Sequence, residues 1–324
     1  MEEYISDNSL YIRSKNNSMI NRKMIGRVLG MLLFIELGMF LLCAGVSAGY
    51  GESDYKYFLY TCIINAVVGG LLLLYGRGAE NKMSRRDGYC VVTLSWVFFT
   101  FFGMLPFYFS GSIDTITNAF FETMSGFTTT GATILDDIES LSHGMLFWRS
   151  LTQWIGGLGI VFFTIAILPI FTTGGVQLFS AESTGVTHDR THPKINVMAK
   201  WLWTIYLVLT VSETVLLMFG GMSLFDAICQ SFATTATGGY STKQNSISYW
   251  NSPYIEYVVA IFMIVSSINF SLFLMCLKGK VGRLFKDEEL HWFLASVGIL
   301  TFLITLAPAL PALPLSPFPP FAPN

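Results

Sequence analysis

The residues of this chain with the types and spacing for chemistry lie in two short stretches. Asn118-Ala119-Phe120-Phe121-Glu122 runs on to Thr129-Thr130-Gly131-Ala132-Thr133, and Asp226-Ala227-Ile228-Cys229-Gln230 runs on to Thr237-Gly238-Gly239-Tyr240-Ser241. A displacement of 108 positions superposes Asn118 on Asp226, Ala119 on Ala227, Glu122 on Gln230, Thr129 on Thr237 and Gly131 on Gly239. That is an internal repeat. Each copy lies between long apolar runs and breaks into Thr and Gly at membrane depth. Non-helical backbone is tolerated there only when it lines a polar cavity or is buried in protein.

The chemistry such a loop can do is ion dehydration. A monovalent cation leaving water must exchange its hydration shell for other oxygens. Backbone carbonyls supply them without burying a full countercharge. Carbonyls turned to one side need backbone angles that glycine reaches cheaply, which gives Gly131 and Gly239 their reason. The hydroxyls of Thr129 and Thr237 add a further oxygen layer. The candidate ion-binding residues are Thr129, Thr130, Gly131, Ala132 and Thr133 in the first copy, and Thr237, Gly238, Gly239, Tyr240 and Ser241 in the second.

The elements that must position these loops are membrane helices. Of 324 residues, 52% are hydrophobic and 12% charged, against about 25% charged in an ordinary soluble domain. Apolar runs over 24–48, 57–76, 88–110, 145–171, 198–220, 253–277 and 290–308 each approach or exceed the roughly 20 residues that cross a bilayer. The repeat segments, 115–133 and 223–241, are too short to cross. Each has about ten helix-prone residues, roughly 15 Å of helix, and so returns to the side it entered from. Thr115 and Ser223 are the expected N-caps, with Asn118 and Asp226 three residues on in capping-box position. The negative dipole ends of these half-helices then face the cation. The expected fold is an all-α integral membrane protein of about seven spans and two re-entrant pore loops, each loop between paired spans.

Charge orients it. Of 19 Lys plus Arg, 16 fall in four segments that seven crossings place on one side: the N-terminus to Arg27, Arg77 to Arg86, Arg190 to Lys200, and Lys278 to Lys286. That side is cytoplasmic by the positive-inside rule. The outer side carries Glu52, Asp54, Asp136, Asp137 and Glu139, an acidic mouth that concentrates cations. Arg149, at an outer helix start, is expected to snorkel or pair with Asp136-Asp137.

Other residues have bland readings. Cys43, Cys62, Cys90, Cys229 and Cys276 sit in apolar runs without a CxxC, as small core residues. Gly156-Gly157-Leu158-Gly159 reads as close helix packing before pore lining. Glu36 and Glu213 are ionisable groups within spans. Glu36, in the peripheral helix pair, reads as a structural hydrogen bond, whereas for Glu213 structural and transport roles stay open. His188 and His192 have metal-pair spacing but lie in a polar loop beside Pro193, and no zinc site is expected. The chain shows no phosphate loop or catalytic constellation, so no enzyme chemistry is expected.

The text Phe147-Trp148-Arg149-Ser150-Leu151-Thr152-Gln153-Trp154-Ile155-Gly156-Gly157-Leu158-Gly159, the loops Thr129-Thr130-Gly131-Ala132 and Ala236-Thr237-Gly238-Gly239-Tyr240-Ser241-Thr242, and Ile268-Asn269-Phe270-Ser271-Leu272 resemble the Trk/Ktr/HKT superfamily of potassium transporters, within it the TrkH branch. The resemblance covers roughly residues 20–305. It implies an N-terminal helix pair, then four span-pore-span units around one pore with one filter glycine each. It further implies potassium as the transported ion, no cofactor, a homodimer in the bacterial inner membrane, a cytoplasmic nucleotide-binding TrkA-like ring as regulator, and no nucleic-acid partner. A membrane potential of about 180 mV, at about 2.3 kcal/mol per charge per 100 mV, sustains roughly thousandfold accumulation without another energy source.

The expected divisions are a cytoplasmic N-terminus and peripheral helix pair (1–87), a first unit (88–197), a second unit (198–285), and the opening helix of a third with a proline-rich tail (286–324). The tail from Ala307-Pro308 cannot continue a helix, and a shortened gene product is the expectation for it. Three alternatives to potassium permeation remain at this point: a sodium-permeable pore, an ion-coupled symporter using Glu213, and a non-conducting fragment.

Overall fold

The computed structural model describes residues 20–79, 84–159, 195–269, 272–273, 282 and 286–306. Among them all regular structure is helical. Two compact bodies divide the chain, Met1–Ser267 and Ile268–Asn324.

In the first body α1 (Arg22–Gly49) and α2 (Tyr55–Tyr75) form an antiparallel hairpin. Its helices touch through glycine. A Cβ on Gly30 would lie 2.8 Å from the Gly69 carbonyl, and one on Gly76 would lie 2.8 Å from that of Lys23. Close backbone approach replaces the hydrophobic drive that lipid cannot supply. Across the same seam Asn65 donates to Glu36 at 3.0 Å, and Glu36 is fully buried. The structural reading of Glu36 therefore holds.

Next come α3 (Arg85–Gly103) and α4 (Leu105–Ser110). Ser84 caps α3 in a reciprocal box with Asp87, whose other carboxylate oxygen accepts from the Asn21 backbone at 2.8 Å. This joins α3 to the start of α1. Pro106, in the first turn of α4, interrupts the α3–α4 ladder because it has no N–H to donate.

The first half-helix, α5 (Ile116–Phe127), leads to α6 (His143–Gly157); α7 (Ile195–Phe219), α8 (Leu224–Thr235), a 3-10 turn (Ser246–Trp250) and α9 (Pro253–Ser267) follow. Helix α6 is central. It packs on α1, on α5 and on α8, touching both half-helices at once. Trp148 of α6 is fully buried, donates to the Gly103 carbonyl at 2.9 Å and meets the Phe40 ring at 4.6 Å.

The second body contains α10 (Glu288–Leu306), apolar on every face and exposed along nearly its whole length. Asp287 caps it by accepting from Leu290 N–H at 3.0 Å.

Among the described residues five helices are long and apolar enough to span a membrane: Arg22–Gly49, Tyr55–Tyr75, Arg86–Ser110, Trp201–Phe219 and Glu288–Leu306. These coincide with five of the seven expected runs. Of the other two, 145–171 is helical over His143–Gly157 and 253–277 over Pro253–Ser267. Most of what remains of each lies outside the described residues, as do His188 and His192.

Candidate ion filter and its scaffold

The half-helices α5 and α8 are 12 residues each, about 18 Å at about 1.5 Å per residue, too short to cross. Their caps are those expected from sequence. Thr115 accepts from Asn118 N–H at 3.2 Å and Ser223 from Asp226 N–H at 3.1 Å.

Beyond the C-terminal ends the backbone repeats itself. Thr129 and Gly131 have φ of 52° and 75°, and Thr237 and Gly239 have 56° and 83°. The turn bonds repeat as well: Thr129 N–H to Gly126 and Thr130 N–H to Ser125 in one copy, Thr237 N–H to Thr234 and Gly238 N–H to Ala233 in the other. All four pairs obey the displacement of 108 read from sequence. Left-handed angles at Gly131 and Gly239 follow from glycine. Left-handed angles at Thr129 and Thr237 do not, since a β-branched residue is strained there. These two positions are a structural finding that the residue types did not signal.

No described protein donor meets the carbonyls of Thr129, Thr130 and Gly131, or those of Thr237, Gly238, Gly239 and Tyr240. These are the oxygens left for something other than protein. The carbonyls of Ala132 and Ser241 are engaged. Ala132 accepts from Ser125 Oγ at 2.6 Å and Tyr240 Oη at 3.2 Å, and Ser241 accepts from Arg149 at 3.0 Å. The Thr133 hydroxyl is turned to Glu122 at 2.9 Å. The loops also touch: Gly131 lies so close to the Gly238 carbonyl that no Cβ fits between them.

Around them is a buried scaffold. Arg149 of α6 is 2% exposed and donates through Nε to Glu122 of α5 at 2.8 Å. Its guanidinium lies 3.5 Å from the centre of the Tyr240 ring, a cation–π contact. The second oxygen of Glu122 accepts from Ile134 N–H at 2.9 Å. Tyr240 Oη in turn donates to the Glu122 carbonyl at 2.9 Å, crossing from the second loop to the first half-helix. Gln153, one turn after Arg149, accepts from Tyr240 N–H at 3.1 Å.

Arg149 therefore neither snorkels nor pairs with Asp136-Asp137. It faces inward because α6 turns that side towards α5, where a buried carboxylate compensates its charge. The acidic loop is tethered instead by Gln244, which accepts from Ile138 N–H at 3.0 Å, and by Lys243, 3.7 Å from Glu139. Glu122, Ser125, Arg149 and Gln153 were not singled out from sequence as site residues. The available signal was a set of polar side chains on otherwise apolar helices, with Arg149 and Gln153 four apart on one face.

The glycines of α6 pack. A Cβ on Gly156 would overlap the Phe127 carbonyl at the end of α5, and one on Gly157 would lie 2.8 Å from Ala236 at the end of α8. Glu213 of α7 is fully buried; Thr235, the last residue of α8, donates to its Oε2 at 3.4 Å, and Oε1 has no partner among the described residues.

At the N-terminal end of α6, Glu52 of the α1–α2 loop accepts from the backbone N–H groups of His143 and Gly144 at 2.8 and 3.2 Å. It also meets the His143 ring at 2.8 Å. Burial acts to raise the Glu52 carboxyl, but these bonds outweigh it and hold the group below its ordinary value.

Several helices of spanning length, with two short helices between them that open into positive-φ Thr/Gly loops, mark an all-helical multi-pass membrane protein. Residues 55–310 match the TrkH family, described as cation transport protein, and the chain belongs to that family. It is 40% identical over 285 residues to the Trk system potassium uptake protein TrkH of Escherichia coli K12, covering 87% of this chain and 59% of the relative. It is 32% identical over 282 residues to TrkG of the same organism, covering 86% and 58%. The crystal structure of the potassium transporter TrkH from Vibrio parahaemolyticus superposes with a TM-score of 0.75 at 33% identity, covering 88% of this chain and 58% of that one. The chain thus spans about three fifths of the length of the relatives it matches.

Proposed function

We propose that the chain contributes two filter segments to a potassium uptake pathway, with Thr129 to Thr133 and Thr237 to Ser241 as the ion-facing loops. The observation that carries this reading is the pair of superposable loops whose carbonyls at Thr129–Gly131 and Thr237–Tyr240 meet no donor among the described residues. A dehydrated cation is the partner such oxygens suit. The names of the relatives, potassium uptake proteins, support potassium as the monovalent cation of this proposal.

On this reading the ion is the substrate and needs no cofactor. The pathway lies in the bacterial inner membrane, as a homodimer regulated by a cytoplasmic TrkA-like nucleotide-binding ring, and the span-pore-span units run over 88–197 and 198–285. The test is rubidium and sodium uptake in cells lacking potassium uptake, with the chain confirmed in the membrane, alongside thermal unfolding of purified protein in each cation. Uptake and protection favouring potassium and rubidium over sodium support the reading. Equal behaviour in all three cations refutes it.

A second reading, ion-coupled uptake, draws on the buried, half-satisfied carboxyl of Glu213 against the end of α8. Coupling to protons predicts that Glu213→Gln flattens the pH dependence of rubidium uptake. An unchanged pH profile removes it.

A further inference from the structure

Gln153 lies at the seam between the two loops. It is fully buried on α6, and the backbone of Gly238 is pressed against its amide: a Cβ at Gly238 would stand 2.6 Å from both Nε2 and Oε1. On its other side, a Cβ at Gly131 would stand 3.9 Å from Nε2. Its two polar ends are used unequally. Oε1 accepts the Tyr240 N–H at 3.1 Å, whereas Nε2 has no partner among the described residues. The amide is therefore retained in a buried site for its acceptor half.

The bond fixes more than Tyr240. The chain has no cis peptide among its described residues, and across a trans peptide the N–H and C=O point in opposite directions. The N–H of Tyr240 and the carbonyl of Gly239 belong to one such plane. Holding that N–H towards α6 turns the Gly239 carbonyl away from α6. Gly239 has open space where a side chain would be and a φ of 83°, so nothing about the residue itself stops the plane from rotating. In the first loop the equivalent plane, Gly131–Ala132, meets no such acceptor among the described residues; the next plane, Ala132–Thr133, is the one held there, through the Ala132 carbonyl by Ser125 and Tyr240. At the position 108 residues after Gln153 stands Ile261, which has no acceptor.

We propose that Gln153 is a positioning residue for cation selectivity: its Oε1 locks the Gly239–Tyr240 peptide plane so that the Gly239 carbonyl is presented to the ion. This rests on the filter reading above. A rotated plane would present an N–H in place of an oxygen. Such a loop binds potassium less well and loses its preference over sodium, without changing how the helices pack.

The test uses the full chain, with Gln153→Met and Gln153→Leu made in parallel to remove the acceptor, and Gln153→Glu to keep it. The readouts are the rubidium-to-sodium uptake ratio per protein in the membrane, and the potassium-specific shift in Tm relative to sodium. The expected result is a loss of about tenfold in the ratio for the Met and Leu variants, the size of one lost hydrogen bond of ordinary strength. The Tm shift should shrink with it, and Gln153→Glu should stay nearer the wild type. A merely structural role lowers both uptakes together and leaves the ratio intact, which would overturn the proposal. So would a ratio in Gln153→Glu as low as in Gln153→Met, or loss of both apolar variants from the membrane with the Glu variant retained. A wild type that discriminates in neither assay overturns the filter reading itself, and this inference with it.

Discussion

Arg149 and Glu122 form a buried ion pair at 2.8 Å, with side chains 2% and 0% exposed, between the central helix α6 and the first half-helix α5. The same two residues reach the second loop, Arg149 through the Ser241 carbonyl and Tyr240 ring, Glu122 through its own carbonyl and Tyr240 Oη. Removing one member leaves the other buried and charged without its counterion. Arg149→Met should cost about 3–5 kcal/mol. The double variant with Glu122→Leu should be less destabilised than the sum of the single changes. Thermal unfolding of the four proteins in detergent closes the cycle, and strict additivity would show that the pair is not coupled.

The two loop glycines, Gly131 and Gly239, should respond differently to a side chain. At Gly239 only the positive φ opposes it, a strain of about 1–3 kcal/mol. Gly239→Ser should therefore insert into the membrane and loosen rubidium over sodium selectivity. At Gly131 the same strain is joined by overlap with the Gly238 carbonyl. Gly131→Ala should lower membrane yield as well as selectivity. Yield on immunoblots and uptake ratios separate the two, and equal yields would argue that the loops lie farther apart.

Acid should release the contact between Glu52 and the N-terminal end of α6. Because hydrogen bonds from His143 and Gly144 hold the Glu52 carboxyl below its ordinary value, its stabilising contribution is complete above the unfolded value of about 4.3. It is lost as pH falls through the lower folded value. Wild type should thus exceed Glu52→Gln in Tm by a constant margin near neutrality, and that margin should close only below about pH 4.3. A margin that grows on acidification would reverse the sign and refute the assignment.

The membrane orientation can be read by labelling. Single cysteines at Asp54, Asp137 and Lys243 should react with an impermeant reagent from outside. Those at Lys82, Lys194 and Lys280 should react only after permeabilisation. Native Cys43, Cys62 and Cys229 are buried and give little background. Labelling of Asp137 and Lys194 from one side would end the re-entrant reading of 115–133.

What the residues determined alone was whatever depends on neighbours along the chain. Apolar runs, the half-helices between them and the caps at Thr115 and Ser223 are local patterns: the half-helices and caps reappear in the structure, as do five of the seven runs as helices of spanning length, and the repeat reappears in the loop angles. The glycine angles at 131 and 239 were legible for the same reason. The scaffold was not. Arg149 to Glu122 joins residues 27 apart, Gln153 to Tyr240 87 apart and Tyr240 to the Glu122 carbonyl 118 apart. No periodicity ranks such pairings, and by position alone an arginine at a helix start has solvent and acidic loops to choose from. Packing decided it, because α6 contacts both half-helices and buries the face that carries Arg149 and Gln153. A charge buried there must find its opposite, and a peptide N–H buried there must find an acceptor. The left-handed threonines belong to the same class. Propensity opposes φ of 52° and 56° at a β-branched residue, and the turn bonds closing each half-helix onto its loop hold them there.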